Sequence, residues 1–268
     1  MHRDLNRNLA GVGIALVLLA AWAVVMVALL LTPLGGTIPL WSPLAVLGLT
    51  WLYTGMFITA HDAMHGTISP RWPRLNHALG AAAAGAYAMF DYRMLLASHH
   101  RHHDTPAREG DPDWHDGEHA HPLRWFLAFM RRYLTVGQWV RLVLVFWTME
   151  LFLPLENILL FWALPSVLST AQLFLFGTYL PHREPEGGHT NPHNATSGYH
   201  HPLVSLLTCF HFGGYHQEHH EQPHQPWWRL PRARLSRAPR PDSGFERGRR
   251  GPAPAPARAS APPPDTAA

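Results

Sequence analysis

Lysine is absent from these 268 residues, so every basic residue is an arginine. Cysteine occurs once, as Cys209, which excludes an intramolecular disulfide and any cysteine-rich zinc or iron–sulfur site. A lone cysteine of this kind reads as a small buried hydrophobe. Charge is sparse, at 15% of residues, and is missing altogether from several stretches long enough to cross a membrane. The net charge of +3 is unevenly placed. From Pro231 to Ala268 eight arginines face Asp242, Glu246 and Asp265, a net of +5, which leaves the rest of the chain near −2. That basic end carries nine prolines and one aromatic, Phe245, so it lacks the stacking platforms of a nucleic-acid binder. It is expected to be a disordered cytoplasmic extension beside anionic lipid, a tail over 231–268 behind a folded domain over 1–230.

What the chain does have is apolar length. Residues 9–31, 41–60, 135–155 and 158–180 are expected to span the membrane, the third despite Arg141 and Glu150. The first run is too long for a signal-peptide core and lacks a small-residue cleavage site before Pro33. Residues 80–90, rich in alanine, are too short to span and read as an interfacial or re-entrant helix. Pro165 is expected to kink the last span. Residues 122–134 mix aromatics with Arg124, Arg131 and Arg132, as a helix lying on the cytoplasmic leaflet would. Arginine is abundant before residue 9, between 61 and 134 and after 181, and absent from 32–40 and 154–157. By the positive-inside rule the fold is an all-α integral membrane protein with about four transmembrane helices plus interfacial helices, both termini cytoplasmic.

Histidine is the second excess, with 21 copies, all but His2 between 61 and 224. "HDAMH" places His61 and His65 four residues apart. "HHRHH" places His99, His102 and His103 at i, i+3, i+4, and "HQEHH" repeats that spacing with His216, His219 and His220. On a helix such spacings bring side chains to one face, and converging neutral imidazoles are what a metal ion needs. Each cluster adjoins the expected cytoplasmic end of a span or an interfacial segment. Eight clustered histidines exceed the four ligands of a tetrahedral zinc and suit two ions with four or five nitrogens each. Histidines outside the pattern, such as His77, His119 and His200, are expected to be structural or solvated. Transport sites lie near the bilayer midplane, whereas these clusters lie outside the spans, which disfavours a membrane metal transporter.

These three boxes beside membrane spans resemble the membrane-bound fatty acid desaturase and hydroxylase superfamily. Within it, "HDAMHG", "FGTYLPHR" and "HFGGYHQEHHEQPHQPWWRLP" are similar to the bacterial β-carotene ketolases, over residues 10 to 231. The resemblance implies a histidine-rich di-iron cap on the cytoplasmic side of a bacterial inner membrane. It implies two Fe ions, O₂ as co-substrate and electrons from reduced ferredoxin or a similar donor. It adds His182 of "YLPHR" as a ninth ligand. The substrate implied is a carotenoid drawn from the lipid phase, β-carotene or zeaxanthin, oxidised to a ketone at ring carbon 4. A carotenoid hydroxylase or a fatty acyl desaturase of the same superfamily is the alternative. Gln217 departs from the pattern, standing inside the last box where ketolases often carry another histidine. Asp62, Asp91 and Glu218 neighbour the boxes as candidate carboxylates accepting a ligand histidine's free N–H. Asp111 and Asp113 in "GDPDWH" are expected to form a turn.

Overall fold

The structure, a computed structural model, describes residues 2–236 apart from Asp116, Glu118, His119 and Tyr199. Among the described residues every regular element is helical. The first two apolar runs form α1 (His2–Leu30) and α2 (Ser42–Met64). The two helices are antiparallel. At one end Gly11 of α1 lies so close to the Ile68 carbonyl that a Cβ would come within 2.2 Å of its oxygen. At the other end Leu30 and Leu34 cluster with Val46 and Leu49.

Helix α3 (Pro73–Ala88) opens on a proline, whose missing N–H costs nothing in a first turn. Near its start Asn76 donates to the Ala63 carbonyl at 2.7 Å, at the end of α2. Near its finish Tyr87 meets Tyr53, halfway along α2, edge to face at 5.7 Å. So α3 runs beside α2 over only half the length of α2. Its small residues permit the close contact: a Cβ on Gly80 would sit 2.6 Å from that of Ala63. Met89, in the left-handed region at φ 58, ends the helix, and α4 (Tyr92–Asp104) carries the chain back.

Helix α5 (Pro122–Tyr133) buries Trp125 and Tyr133 and exposes Leu123 and Leu127. Helix α6 (Val136–Glu150) differs from the span expected over 135–155. Its fifteen residues measure about 22 Å, short of the ~30 Å hydrocarbon core. The cause is visible at both ends. Gln138 and Arg141 bond the carbonyls of Ala88 and Met89, at the level of the α3 turn. Pro154 stops the chain from continuing as a helix at the other. Among the described residues three helices are long and apolar enough to cross a membrane, Asn8–Leu30, Ser42–Met64 and Leu155–His182, against the four or so expected.

The last of these, α7 (Leu155–His182), widens into π-helix twice, at Leu159–Ala163 and Phe174–Tyr179. Each widened stretch ends two residues before a proline, Pro165 or Pro181. A proline ring clashes with the carbonyl four residues back, and a wider turn moves that carbonyl aside. A buried polar net ties α7 to its neighbours. Thr54 bonds Ser169 and Gln172, each at 2.9 Å, and Tyr87 bonds Thr170 at 2.9 Å. Short helices α8 (Pro202–Cys209) and α9 (His216–Glu221) follow, then a 3₁₀ turn, Trp227–Arg229, and α10 (Leu230–Leu235). The first residues of the expected tail, 231–235, therefore belong to a helix, with Leu230 and Ala233 buried. Residues 237–268, where a disordered extension is expected, lie outside the described residues.

Candidate metal centre

The ends of α2 and α7 meet α4 and α9 at one end of the fold, and that end is where the histidines converge. Five ring nitrogens, from His61, His65, His99, His103 and His219, lie within 4.8 Å of one another. Four more, from His102, His182, His216 and His220, do the same. These are the nine histidines singled out in the sequence. The clusters are not used whole, however. On α4, His99 and His103, one turn apart, turn to the first group while His102 turns to the second. On α9, His216 and His220 turn to the second while His219 turns to the first. Spacing places a pair on one face; it does not say that the third member crosses over.

The contacts run from ring nitrogen to ring nitrogen. His65 and His99 approach through their Nε2 atoms at 2.7 Å, and His103 and His219 at 3.0 Å. In the second group Nε2 of His102 is 3.3 Å from that of His220, and Nε2 of His182 is 2.9 Å from that of His216. Two tautomers are fixed by their partners. Nδ1 of His182 faces the Asn194 carbonyl at 2.9 Å, an oxygen that only accepts, so Nδ1 holds the proton. Nδ1 of His102 donates to both oxygens of Asp111 at 3.0 Å. Both rings then present bare Nε2 lone pairs to the same small volume. Mutually facing lone pairs repel unless a cation lies between them, so the donor set fits metal ions.

The electrostatics agree. Burial first, then crowding by neighbouring imidazoles, lowers the pKa of His99, His103, His219 and His220. The same causes bring His65 to about 3, and burial with His102 nearby brings His216 to about 3. Neutral imidazole is the form that binds metal. His102 is the exception. Burial alone would lower it, but Asp113 and then Asp111 raise it above the ordinary value.

Of the carboxylates expected beside the boxes, Asp62 has Oδ1 3.5 Å from Nδ1 of His61, while Oδ2 accepts the Trp227 N–H at 3.0 Å. Asp91 is instead the N-cap of α4, accepting from the Arg93 and Met94 amides, because its place just before the helix favours that bond over reaching a ring a turn and more away. Glu218 is turned to Ser197 and Arg234, at 2.6 and 2.9 Å. Burial would raise its pKa, but the Arg234 and Ser197 bonds hold it below the ordinary carboxylate value. The partners that sequence reading missed are Asp111 and Asn194. Asp111 does form the expected turn, accepting the Ala107 and Asp113 amides, and the same carboxylate reaches His102. Its place eight residues after the box was the available signal. Asn194 acts through its backbone carbonyl, which leaves no trace in residue type. Of the histidines read as structural, His119 lies outside the described residues.

Beneath both groups is a cavity of ≈ 100 Å³. His61, His99 and His219 of the first group and His102, His216 and His220 of the second form one wall. The remaining walls are mainly apolar, with Phe57, Ile58, Leu95, Phe129, Leu173 and Phe212, and are interrupted by Tyr87, Asp113, Tyr133, Thr170 and Thr178. A volume several times that of one water, with walls that bond water poorly, suits a hydrocarbon group.

The family model for fatty acid desaturases matches residues 36–152 and 124–246. A β-carotene ketolase of Paracoccus sp. (strain PC1) is 42% identical over 229 residues, 85% of this chain and 93% of that protein. The β-carotene ketolase of a second Paracoccus strain is 45% identical over 189 residues, 70% of this chain and 77% of that one. A zeaxanthin 4-ketolase of Chlamydomonas reinhardtii is 40% identical over 251 residues, 87% of this chain and 55% of its own length. No solved structure matches the chain.

Proposed function

Because this chain belongs to the fatty acid desaturase family, we propose that it is a membrane carotenoid 4-ketolase that oxidises carbon 4 of a β-ionone ring to a ketone. The observation that carries this reading is the cavity: one wall of imidazoles from both groups, the rest mainly apolar, in a chain similar to β-carotene ketolases. His61, His65, His99, His103 and His219 would hold one iron, and His102, His182, His216 and His220 the other. Iron held there would supply the activation of O₂ that oxidation of an unactivated carbon needs.

The chain's own residues bind, orient and exclude water. Phe57, Ile58, Leu173 and Phe212 bury the ring and keep it dry. Asp111 and the Asn194 carbonyl hold the protons of His102 and His182 away from the site. The polyene lies along the apolar helices. The ring CH₂, O₂, two electrons and two protons give the alcohol and water. The alcohol, O₂, two electrons and two protons give a geminal diol and water, and loss of water from the diol leaves the ketone. The electrons come from reduced ferredoxin or a donor of that class. Arginine placement supports a cytoplasmic position for both termini and the site at the bacterial inner membrane, and residues 237–268 have no part in the chemistry.

Expression in bacteria that accumulate β-carotene, with pigments separated by chromatography, tests the reading. New ketocarotenoids, lost in His219→Ala, are expected. Hydroxylated carotenoids without ketones would replace it with a hydroxylase, and unchanged pigment with iron-loaded protein present would redirect it to fatty acyl substrates.

A further inference from the structure

Threonines inside helices satisfy their hydroxyls by bonding the carbonyl four residues back. Thr50, Thr59 and Thr170 all do so here, at 2.8 Å. Thr178 does not. It is 8% exposed, it lines the cavity, and its hydroxyl has no hydrogen-bond partner among the described residues. The cause is local: Thr178 lies inside the π-helical stretch Phe174–Tyr179, where the widened turn carries the i−4 carbonyl out of line. Other polar side chains on the cavity wall are engaged. Tyr87 and Thr170 bond each other at 2.9 Å, and Tyr133 donates to Asp113. Thr178 is also four residues before His182, a member of the second histidine group.

Ketone formation requires two oxidations at the same carbon, so the alcohol formed first must stay, or return, with that carbon in place. An alcohol is poorly held by an apolar wall, because its hydroxyl would be buried without a partner. We propose that Thr178 is a positioning residue for that alcohol: its unpaired hydroxyl bonds the new ring hydroxyl and keeps carbon 4 at the histidine wall for the second oxidation. The inference rests on the ketolase reading. A hydroxyl matters only to a substrate that carries one, so Thr178 acts on the second step and on how tightly ring alcohols bind. One hydrogen bond of this kind changes affinity by up to about tenfold.

The test compares wild-type protein, Thr178→Val, which keeps the shape and removes the hydroxyl, and Thr178→Ser, which restores it. In β-carotene-producing cells Thr178→Val should raise the ratio of 4-hydroxy to 4-keto rings by about tenfold, and Thr178→Ser should return it to the wild-type value. Iron per chain should be equal in all three. Purified metal-free protein in detergent should bind a 4-hydroxycarotenoid up to about tenfold more weakly when Val replaces Thr178, relative to its binding of β-carotene. An unchanged product ratio, or a Ser variant that behaves like Val, overturns the proposal. Should Thr178→Val not accumulate, the binding ratio of Thr178→Ala against Thr178→Ser decides in the same way. A wild-type protein that makes no ketone at all defeats the ketolase reading itself, an outcome separate from either.

Discussion

Nδ1 of His102 donates to Asp111 at 3.0 Å, and the ring's other nitrogen consequently faces Nε2 of His220, 3.3 Å away, with its lone pair bare. A carboxylate in this position sets the tautomer, fixes the ring plane and raises the basicity of the free nitrogen. Partners of this kind typically contribute ten- to a hundredfold, roughly, to metal affinity. Asp111→Ala should therefore lower iron retention by about tenfold or more, measured as iron per chain after dialysis against a weak chelator. Asp111→Asn keeps an oxygen for the Ala107 amide and should fall between the two. Equal iron in all three would show that Asp111 serves the turn alone.

The histidine boxes, the short alanine-rich helix and the first two long apolar helices are all legible in the sequence, because helical spacing and hydropathy are local properties. What is not legible is direction. Whether His102 or His219 joins its helix neighbours depends on where α4 and α9 cross, and that is set by packing between distant segments. The length of α6 is hidden for a similar reason. Its apolar run is long enough on paper, but Gln138 anchors it at the Ala88 carbonyl, partway along the bundle. Asp111 was visible as a turn former, and one residue type in one place can do two things.

Gly177 lines the cavity, and a Cβ there would meet nothing within 4 Å, so a larger side chain would extend into open space. Gly177→Val should leave folding and iron content intact while the added methyl groups occupy part of a cavity of only ≈ 100 Å³. Ketone yield should drop by about tenfold or more, as a clash in a tightly fitted pocket costs on the order of 1–3 kcal/mol. Pigment analysis against an immunoblot for protein amount checks it. Undiminished yield would place the ring elsewhere.

Arg234 extends over the Tyr215 ring, 4.0 Å from its centre, and holds the buried Glu218 carboxylate through Nε at 2.9 Å and Nη2 at 3.0 Å. Removing one partner of such a pair leaves a buried charge uncompensated. Because Arg234 keeps 22% of its side-chain surface exposed, the cost should be about 2–3 kcal/mol, below that of a fully buried pair. Thermal unfolding in detergent should show Arg234→Met clearly destabilised, and the double replacement Glu218→Gln with Arg234→Met should recover part of the loss. A single variant as stable as the parent would make α10 incidental to the fold.

Metal-free protein should lose stability on acidification, and the sign follows from the depressed histidines. His65 and His216 titrate at about 3 when folded, against 6.5 when unfolded. Between those values the unfolded chain binds protons that the folded chain refuses, so stability is complete above about pH 6.5 and is lost as pH falls below it. His99, His103, His219 and His220 shift the same way, while His102 alone, raised by Asp113 and Asp111, shifts the other. Each depressed histidine costs about 1 kcal/mol by about pH 5.5, so the melting temperature of chelator-treated protein should fall steeply between about pH 7.5 and about pH 5.5. Iron-loaded protein should resist the same change, because a proton must then displace a bound ion. If the two forms traced the same pH profile, the histidines would not be holding metal.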